Sequence, residues 1–235
     1  MKVFIYSGSN RPKVSLSNRL AELFKIYLKE KQIDCDVFTP FNSHLEYCKG
    51  CASCFMTGRC PINDDINRIK QSMFDSDVII FISPVYAHQV TAPMKNFIDR
   101  VCYMSHFMPF AGKAAIPISV SDTNGNKYVT DYLEKQMHYL GLTLIDRIDI
   151  LGGLIEEEVA ESYVKNAVGL ISHYERRYDL TINPEQEEIF DFYQKTYAEG
   201  RNPDQQRWYN QGYQNFKSFA DLVESKRPQN CKSPN

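Results

Sequence analysis

The sequence has 235 residues, with 27 Lys and Arg against 29 Asp and Glu, a formal net charge of −2. That balance argues against a nucleic acid or an anionic membrane surface as an electrostatically held partner. An apolar fraction of 43% is enough for a full core, and no apolar run approaches the ~20 residues of a membrane-spanning helix.

The elements alternate along the chain. Val3-Phe4-Ile5-Tyr6 reads as a strand that stops at Ser7-Gly8-Ser9-Asn10-Arg11-Pro12. It is too short for the apolar region of a signal peptide, and no small-residue cleavage site follows, so a cytoplasmic setting is expected. Leu16, Leu20, Leu23, Phe24, Tyr27 and Leu28 then share one helix face. A second strand is expected over 34–39, a cysteine-rich loop over 48–60, and a helix capped by Asp64 and Asp65 that carries Ile66, Ile69 and Met73. Val78-Ile79-Ile80-Phe81-Ile82 is continuously apolar, as suits a central parallel strand buried on both faces, and it ends at Ser83-Pro84.

A helix over about 92–102, a fourth strand over 114–120, a loop over 121–126 and a helix over about 128–140 follow, the last closed by Gly141. A fifth strand over 143–151 and a helix over about 156–174 complete five βα repeats, which imply a parallel sheet covered on both faces. That unit is expected over 1–180, with a helical extension over 181–235. In the extension, helices are expected over 184–197 and 203–225, the second with an aromatic stripe through Trp208, Phe216 and Phe219 that reads as packing surface. The last residues, 228–235, read as a frayed tail.

In an open parallel sheet, ligands bind beyond the carboxyl ends of the strands. Three strand ends carry polar loops here: 9–17, 83–89 and 121–126. In the first, free N–H groups of a helix start, the hydroxyls of Ser9, Ser15 and Ser17, and the planar cation of Arg11 make an anion site. Neither G-x-G-x-x-G nor a Gly-Lys-Ser/Thr closure is present, so the loop is neither a dinucleotide fingerprint nor a Walker loop. His88 reads as a solvent-facing loop residue, and Lys95 with Asp99 as a helix-surface pair.

Gly8-Ser9-Asn10-Arg11 with Ser15 and Ser17, and Ser83-Pro84-Val85-Tyr86 followed by Met94-Lys95-Asn96-Phe97-Ile98-Asp99-Arg100, resemble the two flavin loops of the NADPH-dependent FMN reductase family. The resemblance covers about 1–175. It implies an α/β, flavodoxin-like, doubly wound five-stranded sheet of order 2-1-3-4-5, with bound FMN and oxidoreductase activity. By the same resemblance Ser9, Arg11, Ser15, Leu16, Ser17 and Asn18 would hold the FMN phosphate. Pro84, Val85, Tyr86 and Ala87 would line the isoalloxazine edge, and Ser121, Asn124 and Gly125 would flank the ring. Many members carry a glycine pair in that third loop, where this chain has Gly125 alone.

The seven cysteines would sit in a reducing compartment, which points to ligand or redox roles rather than to a disulfide framework. Cys48, Cys51, Cys54 and Cys60 form C-x2-C-x2-C-x5-C, followed by Pro61. The run is similar to the ferredoxin arrangement and to the compact motif of iron–sulfur flavoproteins, which carry a [4Fe–4S] cluster beside FMN. Redox-active or unligated thiols and a zinc site are the other readings. Cys35, Cys102 and Cys231 read as bystanders.

The expected activity is FMN-dependent transfer of electrons from NAD(P)H to a quinone, a free flavin or a protein acceptor. Two alternatives stand beside it: an iron–sulfur flavoprotein that relays electrons without a nicotinamide site, and a cysteine-based redox-sensing or interaction module. A homo-oligomer is expected as well, because the family resemblance implies one and because the aromatic stripe of the extension needs burial.

Overall fold

The apolar run at 78–82 becomes the centre of the sheet, with buried side chains on both faces. The computed structural model describes residues 1–12, 15–152, 155–177, 180–197 and 199–227. Strand β3 (Val78–Pro84) pairs in parallel with β1 (Lys2–Ser7) on one side and β4 (Ala114–Ser121) on the other. β2 (Asp34–Phe38) pairs with β1, and β5 (Thr143–Leu144) and β6 (Ile148–Leu151) both pair with β4. The order β2-β1-β3-β4-β5, all parallel, is the expected flavodoxin-like sheet.

The fifth strand departs from expectation. It splits into β5 and β6 because the chain leaves the ladder between them. There the Arg147 guanidinium reaches Asp131 (2.7 Å), Glu134 (3.0 Å) and the Thr130 hydroxyl (2.6 Å).

Successive strand residues point to opposite faces. Val3, Ile5, Ile80, Ile82, Ile116 and Ile118 face α1 (Leu16–Glu30) and α6 (Glu157–Arg177). Phe4, Tyr6, Ile79 and Phe81 face α3 (Ile66–Asp75), α4 (Ala92–Val101) and α5 (Asn126–Tyr139). Helix α2 (Ser53–Thr57) is a single short turn inside the cysteine loop. Helix α4 ends one residue before its expected limit and passes into a 3-10 segment, Cys102–Phe107. At α3, Asp65 holds the cap position but accepts from the His44 N–H (2.7 Å), and it is Asp64 that accepts from the Ile66 N–H (3.1 Å).

The C-terminal helices are α7 (Pro184–Tyr197), α8 (Pro203–Asn210) and α9 (Phe219–Lys226). The single helix expected over 203–225 is therefore broken. A left-handed Gly212 and a 3-10 turn at Tyr213–Asn215 interrupt it, and Ser218 caps α9 by accepting from the Asp221 N–H (3.0 Å). The aromatic stripe packs on the chain's own core: Trp208, Tyr213, Phe219 and Leu222 are buried with Phe190 and Tyr193 beneath α5 and the 3-10 segment. Burial of each such side chain contributes about 1.5–3 kcal/mol. Polar staples add direction. The fully buried Gln186 amide donates to the Leu142 carbonyl (3.0 Å), and Glu187 accepts from the N–H groups of Phe219 (2.7 Å) and Ala220 (2.9 Å). Among the described residues no helix is long and apolar enough to cross a membrane.

Candidate flavin site and cysteine loop

At the carboxyl ends of β1, β3 and β4 lies a cavity of about 330 Å³, within the range of small-ligand sites. Its walls bring together Ser9, Arg11, Ser15, Leu16 and Ser17 of the first loop, Pro84, Val85 and Tyr86 of the second, and Ser121 of the third.

Ser9, Ser15 and Ser17 are buried, and the Ser9 and Ser15 hydroxyls lie 2.7 Å apart. Ser15 precedes α1 in extended conformation, but its hydroxyl does not cap the helix. The first backbone bond of that end runs from the Arg19 N–H to the Ser15 carbonyl (2.9 Å), so the N–H groups of the first turn have no intrahelical acceptor. Together with Arg11 and Arg19, which line the same cavity, they favour an anion at that end. Asp122 and Glu156 also line it and would disfavour an anion elsewhere.

Four candidates stand outside the lining. Asn18 braces the loop from behind, accepting from the Ser7 hydroxyl (2.7 Å) and donating to the Arg11 carbonyl (2.7 Å). Ala87 is at the exposed tip of a tight turn closed by reciprocal Tyr86–Gln89 backbone bonds (2.9 and 3.0 Å). Ala87 (φ +50°) and His88 (φ +60°) are both left-handed there, a strain of about 1–2 kcal/mol each in non-glycine residues. Asn124 accepts through its Oδ1 from Nε2 of the exposed His88 ring (2.9 Å). Gly125 has φ +91°, and a Cβ on it would come within 2.7 Å of Val85 Cγ1. The third loop therefore supports the second through Asn124 and Gly125 and meets the cavity through Ser121 and Asp122.

Two positioning residues carried no motif. Thr91 caps α4 and donates through its hydroxyl to the Gly8 carbonyl (2.5 Å), locking the first loop against that helix. A Cβ on Gly8 would approach Met94 Cβ to 2.6 Å, so the loop passes too close to α4 for any larger residue. Asn126 donates to the Ser119 hydroxyl (2.8 Å) and the Ile150 carbonyl (3.1 Å) and accepts from Ser121, fixing the third loop. Gly152, Ile155 and Ala160 also line the cavity. The glycine that follows β6 is the one local feature of the sequence that could have marked that wall.

The cysteine loop packs against α4. Asn96 accepts from the Cys48 N–H (3.3 Å) and donates to the Leu45 carbonyl (3.1 Å). One turn on, the Arg100 and Asp64 side chains are fully buried and paired through two bonds (2.6 and 2.9 Å). Arg100 also donates to the Glu46 carbonyl (2.5 Å) and to Cys60 Sγ (3.5 Å). Burial alone would raise the Asp64 carboxyl, but Arg100 and the Ile66 and Glu46 N–H groups hold it below the usual carboxylate range. Lys95 and Asp99 form the expected surface pair (2.5 Å).

Cys48 and Cys51 are exposed, and Cys54 and Cys60 half-buried. Burial raises the Cys54 thiol, and nearby Cys60 and Cys48 add to that. Among the described residues no three His, Cys, Asp or Glu side chains stand together as a metal site. The donor set suits a cluster in kind, and Arg100 and Arg207, both bonded to the loop, each keep a buried Nε with no partner among the described residues. Burial pushes the bystander thiols up, Cys35 to about 12 and Cys102 to about 11, which keeps them protonated. Cys231 lies outside the described residues.

Comparison with known proteins agrees with this layout. Residues 1–152 match the model of the NADPH-dependent FMN reductase family. An iron-sulfur flavoprotein of Archaeoglobus fulgidus is 30% identical over 179 residues, covering 74% of this chain and 76% of that one. Another from Methanosarcina thermophila is 26% identical, covering 70% and 87%. In fold, the chain is similar to RosB with bound 8-demethyl-8-formylriboflavin-5'-phosphate (TM-score 0.59, 12% identity, 86% and 88% covered). It is also similar to an NAD(P)H:quinone oxidoreductase from Methanothermobacter marburgensis (TM-score 0.57, 17% identity, 74% and 96% covered). The chain belongs to the NADPH-dependent FMN reductase family, and relatives it matches within that fold are iron-sulfur flavoproteins.

Proposed function

We propose that this protein is an FMN-dependent oxidoreductase that passes electrons from NAD(P)H to a quinone, a flavin or a protein acceptor. The observation that carries this is the first loop. Three buried serines, an open helix start and Arg11 converge on a cavity whose other wall is Pro84-Val85-Tyr86. Ser9, Ser15, Ser17, Arg11 and the Leu16 backbone bind the phosphate, with Asn18 holding the loop in shape. Pro84, Val85 and Tyr86 orient the ring edge largely through backbone groups, and Ser121 flanks it. When bound, FMN supplies the hydride and single-electron chemistry; the chain positions it and limits access of water.

A second reading is favoured by the cysteine loop and by the relatives' names. Cys48, Cys51, Cys54 and Cys60 would hold a [4Fe–4S] cluster, and the protein would relay electrons without a nicotinamide site. Its donor chemistry fits. Holding a cluster would require the four sulfurs to gather more closely than they stand among the described residues. A homo-oligomer is part of both readings, supported by the exposed Leu151 and Val159, each next in sequence to a cavity-lining residue.

The test is an absorption spectrum of anaerobically purified protein before and after NADPH. Flavin bands bleached by NADPH support the reductase. Flavin bands with a broad iron–sulfur shoulder, reduced by a ferredoxin but not by NADPH, support the relay. A colourless protein that ignores added FMN refutes both.

A further inference from the structure

The C-terminal helices lie outside the segment matched by the family model, yet they hold the cysteine loop. From α8, the half-buried Arg207 donates to the carbonyls of Cys54 (3.4 Å) and Phe55. Its guanidinium also pairs with Asp204 (3.1 Å). Asp204 in turn binds the His106 ring, on the 3-10 segment after α4. The His106 ring lies tilted on the Phe55 ring, 5.1 Å between centroids, and Tyr103 meets Phe55 edge-on at 6.5 Å. The contacts close into a circuit: Phe55 ring, His106, Asp204, Arg207 and the Phe55 carbonyl. It joins the cysteine loop, the 3-10 segment and α8. Only the middle of the loop is clamped this way. Cys48 and Cys51 remain exposed, whereas Cys54, at the clamp, and Cys60, beside Arg100, are half-buried.

We propose that Arg207 is a positioning residue for the four-cysteine site. One of its guanidinium nitrogens, Nη2, holds Cys54 through backbone carbonyls of α2, so that the C-terminal helices preset one part of the loop and leave the exposed Cys48 and Cys51 side chains to close. The proposal rests on the reading of these cysteines as ligands. It also makes docking of α8 and occupancy of the site mutually dependent: whatever binds Cys54 stabilises the docked helices, and docking favours binding by the same factor.

The experiment compares the full chain with Arg207→Met, which keeps the apolar stem and removes the fork, and with Arg207→Lys. Site-resolved thiol alkylation of the iron-free protein is the first readout. Iron and sulfide retained per chain after anaerobic reconstitution is the second. Losing a charged donor's bonds should speed Cys54 alkylation about tenfold in Arg207→Met, leave Cys48 and Cys51 unchanged, and lower iron retention. The Lys variant, with one ammonium in place of the fork, should fall between. Cys35 reports general loosening: if it speeds as much as Cys54, the effect is merely structural and the proposal fails. It also fails if Cys54 reacts at the parent rate. Should Arg207→Met not fold, the Lys variant alone decides by the same criteria. A parent that takes up no iron overturns the ligand reading of the Proposed function, while the alkylation contrast still decides what Arg207 does.

Discussion

Arg100→Met tests the energetic anchor of the cysteine loop. Both side chains of the Arg100–Asp64 pair are fully buried and doubly hydrogen-bonded, and Arg100 also holds the Glu46 carbonyl. Removing one partner of such a pair costs about 3–5 kcal/mol, because it leaves a buried charge uncompensated. Here Asp64 would retain the N–H groups of Ile66 (3.1 Å) and Glu46 (2.9 Å), which places the expected loss near the lower end, about 3 kcal/mol. With a urea dependence of about 3 kcal/mol per molar, the unfolding midpoint at pH 7 should fall by about 1 M. The pH dependence gives a second check. The Asp64 carboxyl is held below its unfolded value, so its contribution is present above about pH 4 and is lost as the pH falls through the folded value. Asp64→Asn should therefore be less stable at neutral pH and should lose less on acidification than the parent. A midpoint for Arg100→Met within about 0.3 M of the parent, or an unchanged acid slope in Asp64→Asn, would refute the reasoning.

Thr91→Ala removes the α4 cap and the buried bond to the Gly8 carbonyl. It should cost about 1–2 kcal/mol in denaturant unfolding and weaken FMN binding without touching the cavity wall. Arg11→Ala should weaken FMN about 10- to 100-fold, as loss of a charge-assisted bond implies, and should leave riboflavin, which lacks the phosphate, unaffected in the same fluorescence titration. Ala87→Gly relieves one left-handed residue. Set against the extra freedom of glycine in the unfolded chain, it should stabilise by up to about 1 kcal/mol, seen as a small rise in Tm. Trp208→Ala empties a fully buried site and should cost about 3–5 kcal/mol, with concurrent loosening of Cys54.

Much of this fold was legible in the sequence because its signals are local. The continuous apolar run at 78–82 had to be a two-sided strand, and the strand, serine loop and amphipathic helix over 3–28 had to turn at a point where N–H groups are free. The candidates of the first two loops line one cavity, except Asn18 and Ala87, which stand outside it, and Arg19 lines it without having been a candidate. What the tertiary structure decided depends on contacts between distant segments, where spacing carries no signal. Thr91 matters because its hydroxyl reaches Gly8 from 83 residues away. Arg100 closes the second motif, but nothing in that motif's spacing says that Asp64 is folded beneath it. The aromatic stripe at 203–225 has helical period, but the helix breaks at Tyr213–Asn215, where burying Trp208, Tyr213 and Phe219 in one core gains more than continuing the helix. The same packing brings Arg207 to the cysteine loop, 153 residues earlier in the chain. A local pattern can prescribe a strand, a turn or a helix face; which buried charge meets which carbonyl is settled only when the layers close.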